Sequence, residues 1–145
     1  MPKKRDKRIR LKSFPPDHAV AAFKKEYYFE AITVLHSWTE KEMRSLFHLC
    51  ISIKLNIPIS EGWDVNEKLS YLPLAHVLFI TQQLNKAEYD VLISFNSLRN
   101  EVIHRYYLDP YEGSWHEISH VKFTSLFNQT LKIVKDIGYR AECYV

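Results

Sequence analysis

Residues 85–109 read NKAEYDVLISFNSLRNEVIHRYYLD, and this stretch decides how the rest of the chain is interpreted. On a helical wheel its apolar side chains form one arc, which comprises Val91, Leu92, Phe95, Leu98, Val102, Ile103 and Tyr106. Arg99 falls inside that arc, where a guanidinium is costly unless it is paired. Asn96, Asn100 and His104 recur every fourth residue and form a polar stripe along the border of the arc. The stretch therefore predicts an amphipathic helix with a charged group, an amide and an imidazole on adjoining faces.

Helical periodicity extends over most of the remaining chain. It starts at Asp17, a good N-cap, and continues to Ile53 as one long helix or two nearly collinear ones, with a break near Ser37 left open. Residues 56–62 predict a loop, and a capping box at 64–67 opens a helical region that Pro73 interrupts and that ends near Leu84. The helix from Asn85 should end before Asp109 because Pro110 follows, and the last helix should run from Ser114 to a C′ residue at Gly138. Without an alternating strand pattern, the expected fold is an all-α up-and-down bundle of four to five helices.

Composition narrows the class of protein. A chain of 145 residues with 46% hydrophobic and 26% charged residues is expected to form one soluble domain. Cys50 and Cys143 make neither a disulfide framework nor a zinc-binding pair, which favours a reducing, cytoplasmic compartment. No apolar run reaches the length of a membrane span, and the N-terminus lacks the apolar core of a signal peptide, so no membrane partner is expected. The three glycines exclude a glycine-rich phosphate loop.

The positive charge is concentrated at the N-terminus. Residues 1–12 carry seven Lys or Arg and one Asp, whereas the remainder of the chain has a balance of −3. Residues 1–16 are therefore expected to form a flexible basic arm and residues 17–145 the helical domain. The arm suits electrostatic binding of a phosphate polyanion such as RNA, and a solvated tail without that role is the open alternative. The candidate RNA-binding residues are Lys3, Lys4, Arg5, Lys7, Arg8, Arg10 and Lys12 of the arm, together with Arg105.

The segment from Arg99 to Tyr106 has the order R-x4-H-x-Y, with Asn directly after the Arg. This order resembles the motif of the HEPN family, small helical domains of prokaryotic toxins and defence systems. The resemblance covers roughly residues 17–137, and residues 26–40 look like the long first helix of that family. The R-x4-H-x-Y order is similar to that of the toxin in HEPN/minimal-nucleotidyltransferase toxin–antitoxin modules. The resemblance thus implies a HEPN-like bundle, a nucleotidyltransferase-type antitoxin partner and a homodimer.

Many HEPN proteins are metal-independent endoribonucleases, and the residues of the motif suit that chemistry. His104 would move the proton in an attack by the RNA 2′-OH, because an imidazole titrates near neutral pH. Arg99 would stabilise the charge that develops on the phosphate, and Asn100 would orient the phosphate or the imidazole. Tyr106 would donate a hydrogen bond or stack on a base, and the resemblance also makes it a candidate for adenylylation. The expected enzyme uses no cofactor or metal.

Helix geometry adds an argument for the dimer. Arg99 and His104 are separated by about 140° around an ideal helix, so one copy does not present both on one face. The long Arg side chain can compensate partly for this separation. A two-fold dimer would compensate better, because it would bring both copies of the motif together in one cleft.

Two alternatives to the ribonuclease stay open at this point. One is a catalytically silent HEPN module for binding or dimerisation, because the acidic body of the chain offers few basic residues to bind RNA. The motif also has a purely structural interpretation, in which Arg99 is capped by a buried carboxylate and His104 is a surface residue. His116, Glu117 and His120 match the H-E-x-x-H pattern of zinc metallohydrolases, in which two histidines one helical turn apart bind zinc. Lys122 stands where such a helix is usually apolar, and no sheet is expected to line a peptide cleft, so this zinc interpretation is the weaker of the two.

Overall fold

The computed structural model describes residues 8–105 and 108–144. In this part of the chain the elements are α1 (Pro15–Lys24), α2 (Tyr28–Ile53), α3 (Ile59–Asn66), α4 (Tyr71–Ile80), α5 (Lys86–Arg105), β1 (Leu108–Asp109), β2 (Ser114–Trp115) and α6 (His120–Glu142). The two strands are two residues long and pair antiparallel between α5 and α6. The predicted all-α fold is confirmed. The described residues form six helices rather than four to five, because α1 and α3 are separate short helices.

The long helix α2 is the centre of the bundle. It has 26 residues, which corresponds to a length of about 39 Å. It packs against α1, α3, α4, α5 and α6, and α5 also contacts α4 and α6. Leu35, Met43 and Leu46 of α2 are completely shielded from solvent, as are Phe95 and Leu98 of α5. The helix that carries the R-x4-H motif is thus held on three sides by other helices.

The start of α5 is fixed as the sequence predicts. The backbone N–H of Asn85 donates to Glu88 Oε1 (3.0 Å), and the N–H of Glu88 donates to Asn85 Oδ1 (2.8 Å). This reciprocal pair is a capping box, which satisfies N–H groups that have no partner within the helix. Arg140 of α6 also binds Glu88, with 2.6 Å between Nη2 and Oε2. The register of α5 in the bundle is therefore set at its first turn.

The helical region before Ile53 is divided into two helices, and the division lies before Tyr28 instead of near Ser37. The helix α1 begins at Pro15 instead of Asp17, because proline is tolerated in the first helical turn. It ends at Lys24, and Glu26 has a left-handed backbone with φ of 63°. Tyr27 N–H donates to Ala22 O (2.9 Å) and Glu26 N–H to Phe23 O (3.0 Å), which is a Schellman C-cap. The break therefore lies at 25–27 and not near Ser37.

Two further boundaries differ from the predicted ones in the middle of the chain. The helix α3 begins at Ile59, inside the predicted loop, and ends at Asn66, so the capping box at 64–67 does not start a helix. The helix α4 begins at Tyr71, which places Pro73 in its first turn. Proline there removes an N–H that has no helical partner, so it does not interrupt the helix.

The prediction for the last helix was wrong at both ends. Ser114 lies in β2, and α6 begins at His120 after the N-cap Ser119, whose hydroxyl accepts from Lys122 N–H (3.2 Å). Gly138 lies inside α6 and not after it. A Cβ at this position would lie 3.3 Å from Glu42 Oε2, so the glycine permits a close approach of α6 to α2.

Within residues 8–105 and 108–144, no helix is both long enough and apolar enough to cross a bilayer.

Candidate active site

The motif lies in the C-terminal half of α5, where the helix leaves the core. Arg99 and Asn100 are followed by one further turn before the helix ends at Arg105. Tyr106, the last residue of the motif, lies outside the described residues. The structure therefore describes three of the four predicted catalytic residues: Arg99, Asn100 and His104.

Arg99 lies on the core-facing side of α5, as the wheel predicts, and its side chain is half-buried. Its Nη1 donates to Asn100 Oδ1 (3.1 Å), and its buried Nε has no hydrogen-bond acceptor among the described residues. In the part of the chain that the structure describes, no carboxylate forms an ion pair with Arg99. The buried carboxylate cap considered for Arg99 is thus absent from this part of the chain.

A buried polar pair lies on α2 and α5 one helical turn before Arg99. His36 and Asn96 are both buried, and His36 Nε2 lies 2.8 Å from Asn96 Oδ1. The imidazole stacks on Tyr71 with 4.1 Å between ring centroids, and the Tyr71 hydroxyl donates to Leu92 O (3.0 Å). Burial lowers the pKa of His36, and the positive charge of Arg99 lowers it further, against the opposing effects of Asn96 and Glu40. His36 is therefore neutral at pH 7 and donates its Nε2 proton to Asn96.

Local sequence patterns do not reveal this pair. They predict an interior or interface position for His36 and a polar stripe for Asn96, whereas the contact joins residues 60 positions apart. One usable signal is that Asn96 falls at the border of the apolar arc of α5, which requires a polar partner if the border is buried.

His104 is exposed in the last turn of α5, and no described residue is hydrogen-bonded to its ring. Asn100 is also exposed and lies one turn before it on the same side of the helix. Arg99 lies about 140° away from His104 around the helix axis. Within one copy, the structure therefore pairs Arg99 with Asn100, and the ring of His104 has no hydrogen-bond partner among the described residues.

The H-E-x-x-H residues do not have the geometry that the zinc interpretation requires. His116 and Glu117 precede α6 in a segment without regular structure, and only His120 lies in the helix. The two histidines are therefore not one helical turn apart on one face. His116 Nε2 instead lies 3.1 Å from Glu101 Oε1 of α5. Among the described residues, no group of three or more His, Cys, Asp or Glu side chains is arranged to hold a metal ion.

The basic residues proposed to bind RNA are only partly described. Arg8, Arg10, Lys12 and Arg105 are exposed, with Arg105 in the last turn of α5 beside the motif. Lys3, Lys4, Arg5 and Lys7 lie outside the described residues. Phe14 connects the arm to the bundle through an edge-to-face contact with Trp38, whose ring centroid is 5.1 Å away. The described part of the arm therefore presents its cations to solvent.

Comparisons of the chain with models of known protein families, with curated proteins and with solved structures found no match.

Proposed function

We propose that this protein is a metal-independent endoribonuclease of the HEPN type, which acts as a homodimer in a toxin–antitoxin or defence system. The main support for the proposal is that Arg99 is half-buried and that its Nε has no hydrogen-bond acceptor among the described residues. A half-buried guanidinium without a described carboxylate partner is costly for the fold, and such cost is typical of a group kept for binding an anion. The resemblance to the R-x4-H-x-Y motif supplies the reaction class, and the fold class is compatible with it.

The proposed reaction transfers a phosphoryl group within the RNA. The His104 imidazole takes the proton of a ribose 2′-OH as its oxygen attacks the neighbouring phosphorus. The bond to the 5′-oxygen of the next nucleotide breaks, that oxygen receives a proton from the imidazolium, and a 2′,3′-cyclic phosphate remains. Arg99 stabilises the non-bridging oxygens during the attack, and Asn100 holds the guanidinium through the 3.1 Å contact described above. No step uses a metal ion.

The test is cleavage of RNA by the purified protein in EDTA. We expect products with 2′,3′-cyclic phosphate ends, and we expect His104→Ala and Arg99→Ala each to lower the rate at least a hundredfold. His76→Ala is the matched control, since His76 is an exposed histidine of α4 outside the motif. Activity that survives His104→Ala, or that EDTA abolishes, would overturn the proposed mechanism.

The second candidate is a catalytically silent HEPN module that binds a partner. It is favoured by one observation, namely that no described residue orients the imidazole of His104, as a general base usually requires. The same assay separates the candidates, because a folded protein that cleaves no RNA under any condition is the result expected of the silent module. The nucleotidyltransferase-type antitoxin belongs to the first proposal and is tested by co-purification from cells that express both proteins.

A further inference from the structure

A cavity of about 460 Å³ opens beside α5. Its lining includes Tyr28, Phe29, Val102, His116, Glu117 and Phe123. Val102 and His104 are two residues apart, which places them about 200° apart around the helix. Arg99, Asn100 and His104 do not line the cavity, although α5 borders the cavity and also carries these three residues. Its volume is in the range of sites that bind small organic groups.

The cavity has one fixed aromatic wall and one exposed ring. Tyr28 packs edge-to-face on Phe123, with 5.2 Å between ring centroids, and on Phe23 at 5.7 Å. Phe29 also lines the cavity, yet 53% of it is exposed to solvent. An exposed phenylalanine is itself ordinary, but here it stands next to a preformed space lined by aromatic rings. Such an arrangement suits a flat ring that can stack.

The polar side of the cavity includes His116 and Glu117. His116 is oriented by Glu101, and the second oxygen of Glu101 pairs with Lys122 at 3.7 Å. Glu117 is exposed at the cavity, and no described residue forms a hydrogen bond or an ion pair with it. A carboxylate accepts two parallel hydrogen bonds. Of the four RNA bases, only guanine presents two adjacent donors on its Watson–Crick edge, N1–H and N2–H.

We propose that this cavity is a base-binding subsite that takes a guanine of the RNA. The inference rests on the proposed ribonuclease function, and the guanine belongs to a nucleotide flanking the cleaved bond, because Arg99, Asn100 and His104 do not line the cavity. Stacking on Phe29 and Tyr28 provides affinity for any base, and Glu117 selects guanine.

The binding test measures, by NMR titration, the affinity of the full-length His104→Ala protein for four nucleotides. They are the 5′-monophosphates of guanosine, adenosine, cytidine and uridine. We expect the guanosine nucleotide to bind most tightly, and Glu117→Gln to weaken that nucleotide about tenfold while the other three change little. Phe29→Ala should weaken all four about tenfold. Glu61→Gln, at an exposed carboxylate of α3, is the matched control and should have no effect. Both test residues are exposed, so their substitution leaves the fold intact.

The cleavage assay separates this inference from the proposed function. If the enzyme cleaves RNA and Glu117→Gln removes a guanine preference beside the cut, the subsite is supported. If the enzyme cleaves RNA but the four nucleotides bind equally and Phe29→Ala changes nothing, the subsite is overturned and the function stands. If the protein never cleaves RNA but binds guanine selectively through Glu117, the subsite is supported and the proposed function is overturned.

Discussion

At the scale of one residue, the catalytic role proposed for Arg99 is in conflict with the stability of the fold. Its half-buried guanidinium has one described hydrogen bond, to Asn100, and a buried Nε without a described acceptor. An apolar side chain of similar length would fill the same space without the cost of a desolvated charge. The residue is therefore expected to limit the stability of the fold, as groups kept for catalysis often do.

We predict that Arg99→Met leaves the free energy of unfolding unchanged or raises it by up to about 1 kcal/mol, while RNA cleavage is lost. Urea unfolding measures the first quantity. Leu98→Ala, at the fully buried neighbouring position, is the contrasting variant and should cost about 3 kcal/mol. A clear loss of stability in Arg99→Met would mean that the guanidinium has a structural partner after all.

His36 gives a prediction about pH. Because burial lowers its pKa in the folded state below the ordinary value of 6.5, the unfolded chain takes up the proton first as the pH falls. The stabilising contribution is thus complete above pH 6.5 and is lost as the pH falls towards the folded-state pKa, by about 1.4 kcal/mol for each unit between the two pKa values. We expect His36→Gln to remove this part of the pH dependence.

Urea unfolding of both proteins at several pH values from about 7.5 to about 5, a range that spans the ordinary pKa of histidine, checks this prediction. His76→Gln, at an exposed position, should keep the pH profile of the unchanged protein. Parallel profiles for the unchanged protein and His36→Gln would show that His36 does not titrate differently on unfolding.

At the scale of the helices, boundaries depend on left-handed residues that are not glycine. Glu26 follows α1 with φ of 63°, and Gln82 follows α4 with φ of 62°. Gln83 N–H donates to Leu78 O (2.8 Å), so α4 ends in the same Schellman cap as α1. The left-handed conformation is unfavourable for residues with a Cβ and favourable for glycine.

We predict that Gln82→Gly raises the free energy of unfolding by about 0.5–1 kcal/mol. Ser97→Gly, at an exposed position inside α5, should lower it by about 0.5 kcal/mol. Thermal and urea unfolding of the two variants measure the difference. A loss of stability in Gln82→Gly would mean that the glutamine side chain contributes more than its backbone conformation costs.

These helix ends also show what the sequence could and could not predict. The capping box at Asn85 and Glu88 was predictable because both residues belong to one local pattern. The break at Glu26 was not, since glutamate does not favour a left-handed backbone, and the glycines at 62 and 138 lie inside helices instead.

At the site, the core-facing position of Arg99 followed from helical spacing. The pairing of His36 with Asn96 and the placement of His116 against Glu101 depend on contacts between distant segments, which no local pattern contains.

At the scale of the whole molecule, the positions of Arg99 and His104 predict a composite site. Because the two residues are about 140° apart on α5, we expect the Arg99 of one copy to act with the His104 of the other in a dimer. Arg99→Ala and His104→Ala would each be inactive, but random exchange of subunits between them should restore about a quarter of the activity. Sedimentation should show a particle near twice 17.3 kDa. A monomer at micromolar concentration, or an inactive mixture of two folded variants, would contradict the composite site.

The basic arm predicts a salt effect on RNA binding. Deletion of residues 1–12 should reduce the slope of log affinity against log salt by about 0.7 for each phosphate of a single strand that the arm neutralises. Affinity should fall by a similar factor for all sequences, because binding to phosphates carries no base information. Phe14 and its packing on Trp38 remain in the shortened protein, so the bundle is unaffected. Salt titrations in a His104→Ala background provide the measurement, and equal slopes would leave the arm without a role in RNA binding.

The central place of α2 also affects the order of events during synthesis. Translation completes α2 at residue 53, whereas the helices α4, α5 and α6 that cover it continue to residue 142. At the usual speed of a ribosome this delay lasts roughly 4 to 18 seconds. During that time the apolar side of α2, with Leu35, Met43 and Leu46, has no complete cover. A nascent chain that stops before α6 therefore remains open to chaperones and proteases, and only a chain that includes α6 can close around its own first long helix.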